Sequence, residues 1–144
     1  MPISDVTTGH GSELYIHNGT NLEKVAEVDD IPELPSGEQE LYEVSHLGTT
    51  GYREWKKQPL RDGVPVTLTG NYVIASASDA LLQSADDAEG PLAYKIVIPQ
   101  GEDSYEVTGT ALFYGFRRMN AKDAKRTFQI TMKPVDAADI DEAV

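Results

Sequence analysis

Residues 66–72 read Val-Thr-Leu-Thr-Gly-Asn-Tyr, and polar side chains occupy every second position. Successive side chains of a β-strand point to opposite faces, so this alternation is typical of a strand with one face buried and the other in water. Residues 127–133, Thr-Phe-Gln-Ile-Thr-Met-Lys, repeat the pattern. These two stretches decide the fold class, because they predict a sheet that is covered on one side only.

Further strands follow on both sides of residues 66–72. Alternation or β-rich composition predicts strands at 94–98 and 105–116. In the first third of the chain, Asn18-Gly19 tolerates the positive φ of a tight turn, so residues 13–28 are expected to form a hairpin. A weaker pattern predicts one more strand at 41–47. The alternating signal therefore extends over most of the chain.

A single stretch shows a clear helical period. Ser76 and Asp79 have the spacing of a capping box, and the apolar residues that follow share one helical face, which predicts a helix over 77–86. One short helix among about seven strands indicates a mostly β fold, either a β-sandwich or a partly closed barrel with the helix on one flank. Parallel α/β folds are disfavoured, because they need a helix after nearly every strand.

Three segments lack sheet periodicity. Residues 29–40 are rich in proline and acid, and residues 48–63 are expected to form a long loop, a kind of segment that is often functional. The acidic stretch 134–144 is expected to be a mobile tail. We therefore expect a single domain over residues 1–133, followed by that tail.

The length and charge of the chain exclude several classes of protein. At 144 residues and 15.7 kDa, the chain is long enough for one sizeable core. A net charge of −12 argues against binding of nucleic acid through phosphate contacts. The absence of cysteine excludes disulfide frameworks and thiolate metal sites. The first residues lack the pattern of an export signal, and no apolar run approaches the ~20 residues of a spanning helix, so no membrane role is expected.

Charges of opposite sign occupy different segments. Residues 23–43 contain eight acids and one base, whereas residues 48–63 contain four of the twelve Lys and Arg residues. Separate patches can meet those of another copy with complementary potential. The alternative is that both segments are solvated loops whose charges contribute only to solubility. The candidate acidic patch comprises Glu27, Asp29, Asp30, Glu33, Glu38 and Glu40.

Trp55, the only tryptophan, favours an interface within the 48–63 segment. It lies between charged residues with little apolar company, and aromatic anchors flanked by basic residues are typical of interface hot spots. A tryptophan that folds back onto its own domain is the alternative. The candidate interface residues are Arg53, Glu54, Trp55, Lys56, Lys57, Arg61 and Asp62.

The sequence lacks the patterns of an enzyme or a metal site. His10, His17 and His46 fall in different predicted elements and lack the i, i+4 pairing of a helical zinc site. There is no Gly-x-Ser-x-Gly elbow and no glycine-rich phosphate loop before a helix. Acid pairs such as Asp29-Asp30 lack the ligand spacing of an EF-hand. We therefore expect no catalytic residues, no metal and no cofactor.

In the order and spacing of its segments, the chain resembles the major tail tube proteins of long-tailed bacteriophages and gene transfer agents. No single segment is diagnostic, but together they cover most of residues 10–133. The segments are Gly-Ser-Glu-Leu-Tyr-Ile (11–16), Val-Ala-Glu-Val-Asp-Asp-Ile-Pro (25–32), Leu-Tyr-Glu-Val-Ser-His-Leu (41–47), Gly-Tyr-Arg-Glu-Trp (51–55), Leu-Arg-Asp-Gly (60–63), Val-Thr-Leu-Thr-Gly-Asn-Tyr (66–72) and Lys-Arg-Thr-Phe-Gln-Ile-Thr (125–131).

The resemblance implies a β-sandwich with a flanking helix, copies of which form hexameric rings that stack into a hollow tube. It further implies that a tape measure protein fills the lumen before DNA passes through it. The implied location is the virion tail, after synthesis in the host bacterial cytoplasm, with tail terminator and tail tip proteins as neighbours. The acidic composition agrees with a channel that must not bind its anionic cargo.

The polar faces of the long predicted strands are the candidates for the surface of that lumen. The same alternation could equally describe an outward surface. A monomeric β-sandwich binding module on a virion or cell surface is the alternative function. The candidate lumen residues are Glu106, Thr108, Thr110, Gln129 and Thr131.

Overall fold

The computed structural model describes residues 10–142, which form a curled antiparallel sheet, a small second sheet and one helix. The helix α1 spans Ala77–Asp87. The strands are β1 (Glu13–His17), β2 (Leu22–Val25), β3 (Val28–Asp30), β4 (Gly37–Glu43), β5 (Trp55–Gly63), β6 (Val66–Asn71), β7 (Leu92–Gln100), β8 (Asp103–Met119), β9 (Thr127–Pro134) and β10 (Asp139–Glu142).

The main sheet has the strand order β2-β1-β7-β8-β9-β6-β3, with β10 paired to β8. The two end strands, β2 and β3, are joined only by Ala26 and Glu27, so the sheet must curl to bring its ends together. Strands β4 and β5 form the separate sheet. The prediction of a mostly β fold with a partly closed sheet and one flanking helix is confirmed.

The alternating stretches supply the core. In β9, Phe128, Ile130 and Met132 are buried, while the residues between them are only half-buried. In β6, Val66 and Leu68 face the same core. Burying such side chains contributes roughly 1.5–3 kcal/mol each, which makes this face of the sheet the main source of stability.

The helix covers one flank of the core and begins where the capping spacing predicts. Ser76 Oγ accepts the backbone N–H of Asp79 at 3.2 Å, and Leu81, Leu82 and Ala85 are buried against the sheet. The observed helix extends one residue beyond the predicted 77–86. Local capping and apolar period therefore suffice to locate this element.

The longest strand, β8, has 17 residues and contains an irregularity at Gly115. The φ of Gly115 is +69°, and the register with β9 shifts between Tyr114 and Arg117. This conformation costs a glycine little. The resulting bulge turns the end of β8 toward the helix, where Phe116 N–H donates to Asp86 at 3.3 Å.

Four sequence-based boundaries differ from the structure. Residues 55–63 form β5 rather than a continuous loop, and the first hairpin strand begins at Gly37, inside the segment expected to be irregular. The strand expected at 41–47 ends at Glu43. The expected mobile tail contains β10, and residues 143–144 lie outside the described part of the chain.

Candidate functional site

Strands β4 and β5 with the intervening residues 44–54 form a projecting hairpin, which we call the arm. Every residue of β5 before Gly63 is exposed, as is all of β4 except Gln39. Nine residues of β5 at about 3.3 Å per residue place Trp55 roughly 26 Å from Gly63 at the base. The arm therefore adds almost nothing to the core and presents both of its faces outward.

Large apolar side chains are concentrated on this exposed arm. The exposed fraction is 52% for Trp55, 93% for Tyr52 and 108% for Leu47. Glu43 is paired with Trp55 and Leu41 with Lys57, so these four residues share one face of the hairpin. Trp55 does not fold back onto the core. Its side chain is therefore accessible to another molecule, as an interface hot spot requires.

The arm also brings together charges that the sequence had assigned to two patches. Glu38 lies on β4 directly opposite Asp62 of β5, and Glu40 lies at the register shift between Gln39, which is paired with Arg61, and Leu41, which is paired with Lys57. Arg53 Nη1 lies 3.9 Å from Glu43 Oε2, which makes a weak exposed ion pair. Within residues 10–142, Lys56 and Lys57 make no salt bridge. Part of the predicted acidic patch thus belongs to the arm itself.

The other members of the acidic patch, Glu27, Asp29, Asp30 and Glu33, lie at or near β3, and we call them the rim. Asp29 is already engaged, since Oδ1 accepts from Thr69 Oγ1 at 2.8 Å and Oδ2 lies 3.7 Å from Lys125 Nζ. Glu27 occupies the β2–β3 corner with a φ of 58°. The rim is therefore separate from the arm and partly neutralised within the chain.

All five candidate lumen residues lie on the face of the main sheet opposite the core. In β8, Glu106, Thr108 and Thr110 alternate with the buried Val107 and Ala111. Tyr114 is paired with Thr131 and Arg117 with Gln129, which places the two β9 residues on that same face. The five residues therefore share one face of the sheet, and their position in a lumen stays a prediction.

Two lysines on this polar face lie beside acids of the same chain. Lys95 Nζ lies 3.7 Å from Glu106 Oε1 and 4.5 Å from the ring centre of Tyr15. The Tyr15 hydroxyl donates to Glu13 at 2.9 Å, and this bond together with Lys24 lowers the pKa of Glu13 below its ordinary value. Lys24 and Lys95 are therefore held by neighbouring acids, whereas Arg117, exposed opposite Gln129, makes no salt bridge within residues 10–142.

Strand β10 forms within the segment for which the sequence predicts a mobile tail. It continues the line of β9 along β8 after a break at residues 135–138, and its paired residues run from Asp139 opposite Thr108 to Glu142 opposite Tyr105. Three of its four residues are acids, and all four are exposed. Among the described residues, Asp139, Asp141 and Glu142 form no salt bridge.

A cleft of about 640 Å³ separates β10 from the base of the arm. One wall is formed by residues 34–37 and 61–63, and the other by residues 133–138 and Ile140. Its apolar lining includes Leu34, Leu112 and Ile140. Ile140 is the residue of β10 that lines the cleft, whereas Asp139 and Asp141 are paired with Thr108 and Glu106 on the polar face of the main sheet.

Residues 10–142 contain neither a group of metal-ligating side chains nor a membrane-spanning helix. Within that range, no three His, Asp or Glu residues are grouped so that they could hold a metal ion. None of the described helical residues forms a segment long and apolar enough to span a bilayer. His10, His17 and His46, the candidates considered from sequence, belong to separate parts of the fold.

Solved structures show where this architecture occurs. The chain is similar to a chain in the tail of a gene transfer agent particle refined with C6 symmetry, with a TM-score of 0.70, 15% identity and coverage of 93% of this chain and 98% of that one. For a chain in the baseplate of the anti-feeding prophage, the TM-score is 0.73, with 12% identity and coverage of 96% and 97%.

The tail tube of SPP1 is similar over 95% of this chain and 80% of its own, with a TM-score of 0.66 and 8% identity. No protein-family model and no curated protein matches the sequence. The likeness therefore lies in the arrangement of the strands rather than in individual residues. It extends over nearly the whole chain, and the protein accordingly has the tail tube fold.

Proposed function

We propose that this protein is a structural subunit that assembles with copies of itself into stacked rings, forming the hollow tube of a virion tail. The observation that carries the proposal is its likeness, over nearly its full length, to chains of assembled tails. The exposed arm supports it, because an isolated protein gains nothing from displaying Trp55 and Tyr52 to water. The subunit acts by binding to other subunits and has no catalytic role.

Open strand edges supply a second argument for assembly. Within the described residues, β2 pairs only with β1 and β3 only with β6, so each has an open edge. Such edges are sites of unwanted pairing unless they are covered. Contacts between copies would cover them, and a tube needs both contacts that close a ring and contacts that repeat along the axis.

The arm is the proposed contact element between subunits. Its residues Arg53, Glu54, Trp55, Lys56, Lys57, Arg61 and Asp62 meet an acidic surface of another copy. The sequence-based prediction places that surface at the acids of residues 23–43. Complementary electrostatic potentials would determine how the two subunits align more than they would raise the affinity between them.

The polar face with Glu106, Thr108, Thr110, Gln129 and Thr131 is the proposed lumen surface. Its hydroxyl and amide groups offer no fixed positive charge, and Lys95 is held by Glu106. A polyanion would find few phosphate contacts on it, which suits DNA in transit. Hexameric rings, a tape measure protein in the lumen, and tail terminator and tail tip proteins at the tube ends complete the proposal. We also propose that the protein is synthesised in the cytoplasm of the host bacterium.

Negative-stain electron microscopy and analytical ultracentrifugation over a concentration series test the proposal. We expect rings or tubes at high concentration or in the presence of a tip complex. The combined variant Trp55→Ala, Lys56→Glu and Lys57→Glu should remain monomeric while melting like the wild type, because all three side chains are exposed. A wild-type chain that stays monomeric under every condition would instead favour a binding module.

A further inference from the structure

We propose that the turn between β1 and β2 modifies itself: Asn18 cyclises onto Gly19 with loss of ammonia, and water opens the resulting succinimide to aspartate or isoaspartate. The proposal is independent of self-assembly. The reaction needs a nucleophile, a base, donors to the oxygen that becomes negative, and a partner for the nitrogen that leaves. The turn places each of these groups within hydrogen-bond distance of Asn18 or Gly19.

His17 is placed to take the proton from the attacking nitrogen. Gly19 N–H donates to His17 Nδ1 at 3.1 Å, within the roughly 2.6–3.2 Å over which a base reaches the proton that it abstracts. Because Nδ1 accepts this bond, the neutral ring carries its own hydrogen on Nε2 and has a lone pair for a second one. Removal of the proton converts a peptide nitrogen, which is a poor nucleophile, into a reactive one.

Two backbone donors face the oxygen on which charge develops. The side-chain oxygen of Asn18, Oδ1, accepts from the N–H groups of Thr20 and Asn21, each at 3.0 Å. Attack of the Gly19 nitrogen on Asn18 Cγ forms a C–N bond and moves negative charge onto Oδ1. Fixed N–H donors at roughly 2.7–3.1 Å are the arrangement that stabilises such an oxyanion.

Glu23 lies beside the nitrogen that leaves. Asn18 Nδ2 donates to Glu23 Oε2 at 3.1 Å, so a negative charge favours the protonated form of this nitrogen. The bond between Cγ and Nδ2 breaks, and the proton that His17 removed passes to the nitrogen, which departs as ammonia. Gly19 N has then replaced Nδ2 on Cγ, and the step requires no oxidant, reductant or metal.

Glycine leaves the approach to Asn18 open. Gly19 has a φ of +100°, and a Cβ built on it meets nothing within 4 Å, so no packed group opposes ring closure. Asn18 and Thr20 are exposed, which gives water access to the succinimide. Asn18 is also the only asparagine of the chain that precedes a glycine.

A second turn shows that the contact between histidine and glycine does not make the site by itself. Gly48 N–H donates to His46 Nδ1 at 3.0 Å, which is the same contact at the same sequence spacing. Leu47 lies between these two residues, so that turn has no side-chain carbonyl for the glycine nitrogen to attack. His46 therefore provides a matched control for His17.

The products change both the charge and the backbone of the hairpin. Opening of the ring at Cγ gives aspartate, whereas opening at the main-chain carbonyl gives isoaspartate, which adds a methylene group to the backbone. In either product a carboxylate replaces the amide that donated to Glu23, and two like charges then lie close together. Within the described residues β2 pairs only with β1, so we expect amide hydrogen exchange of residues 22–25 to become faster.

Ageing of the full-length protein at neutral pH tests the proposal. Peptide mass spectrometry follows the loss of the Asn18 amide, and enzymatic methylation detects isoaspartate. The folded chain should react roughly tenfold or more faster than the same chain unfolded in urea, because the base and the two donors are in place only in the fold. Asn21, which is exposed in the same turn but precedes Leu22, is the internal control and should keep its amide.

Three variants test the role of the histidine. His17→Ala and His17→Gln should each slow the reaction of the folded chain by roughly tenfold or more, since glutamine retains a hydrogen-bond acceptor but takes up no proton. His46→Ala should leave the rate within about twofold of wild type. Thermal unfolding of each variant shows whether the fold is retained, and the comparison of wild type with its urea-unfolded form needs no variant.

The possible results decide between a reactive turn and an ordinary one. An Asn18 that keeps its amide in the folded protein, or that reacts no faster there than in urea, would overturn the proposal. Equal rates for wild type and for folded His17→Ala and His17→Gln would overturn it as well. The readout is chemical and is obtained on dilute protein, so failure here leaves the proposed tube subunit standing, and failure to assemble leaves the reactive turn standing.

Discussion

Asp136 Oδ1 accepts the backbone N–H of Thr110 at a distance of 3.0 Å, across the break between β9 and β10. At this point four residues, 135–138, lie opposite two residues of β8, so the regular ladder is interrupted. The side chain of Asp136 supplies the acceptor that a continuous strand would have offered, and Val135 N–H donates to Thr110 O at 3.1 Å. A side chain therefore holds β10 in register with the main sheet.

We predict that Asp136→Ala releases β10 while the core of the sheet stays folded. Loss of the acceptor should cost about 1 kcal/mol and speed amide hydrogen exchange of residues 139–142. Asp136→Asn keeps an oxygen acceptor and should retain most of the protection. Equal exchange in all three proteins would show that the bond does not position the strand.

We predict that Gly70→Ala destabilises the protein by about 1–3 kcal/mol. A Cβ at Gly70 would lie 2.5 Å from the Phe128 ring and 2.6 Å from the carbonyl oxygen of Glu27, so the β2–β3 corner or the core must shift. Gly90→Ala is the matched control, because a Cβ there meets nothing within 4 Å. Urea unfolding of both variants measures the difference, and equal midpoints would contradict the predicted clash.

We predict that Tyr94→Phe stabilises the protein by about 1 kcal/mol, which corresponds to a rise in Tm of about 3 °C. The Tyr94 hydroxyl is buried without a hydrogen-bond partner in the described residues. Removing it relieves that cost and leaves the ring packing intact. A decrease in Tm measured by calorimetry would show that the hydroxyl is satisfied in solution.

The same residue sets a prediction at alkaline pH. Burial, with a contribution from Asp136, raises the pKa of Tyr94 to about 12, against 10.0 for an ordinary tyrosine. Because the unfolded chain ionises first, the stability linked to this group is full below pH 10 and is lost as the pH rises toward 12. Stability of Tyr94→Phe should fall less steeply between these values, and parallel curves for the two proteins would contradict the linkage.

We predict that Asp79→Ala costs about 1–3 kcal/mol, because its carboxylate joins the helix to the sheet. It accepts from Arg118 Nε at 2.9 Å, from the Tyr72 hydroxyl at 3.2 Å and from Ala75 N–H at 3.3 Å. Asp87→Ala, at the exposed end of the same helix, should change stability by less than about 0.5 kcal/mol. Thermal unfolding of the two variants tests this contrast.

Sequence patterns located the elements that bury one face. Residues 66–72 and 127–133 alternate because water lies on one side of them and the core on the other, and the capping residues of α1 act locally. The sequence patterns did not predict strands β5 and β10, and the same physical principle explains why. Both of their faces are exposed, so no alternation of apolar and polar residues is required.

The candidate site was predicted in part. Composition singled out Trp55 and the neighbouring bases, whose role in an interface stays a prediction, but their position on one hairpin with Glu38 and Glu40 depends on the pairing of β4 with β5. The cleft depends on residues 34–37 and 133–138, which are about a hundred positions apart and meet only through the folded sheet. Contacts between residues so far apart in the sequence produce no local sequence pattern from which they could be predicted.

The arm buries almost none of its residues, and this has a consequence for how the sequence can diverge. Substitutions in the arm should therefore change the stability of the main sheet very little. Natural variation in the arm can alter which partner the protein recognises while the fold stays stable. For the same reason, a hairpin of equal length from another protein could replace the arm between Gly37 and Gly63. The main sheet would then serve as a scaffold whose binding hairpin can be exchanged.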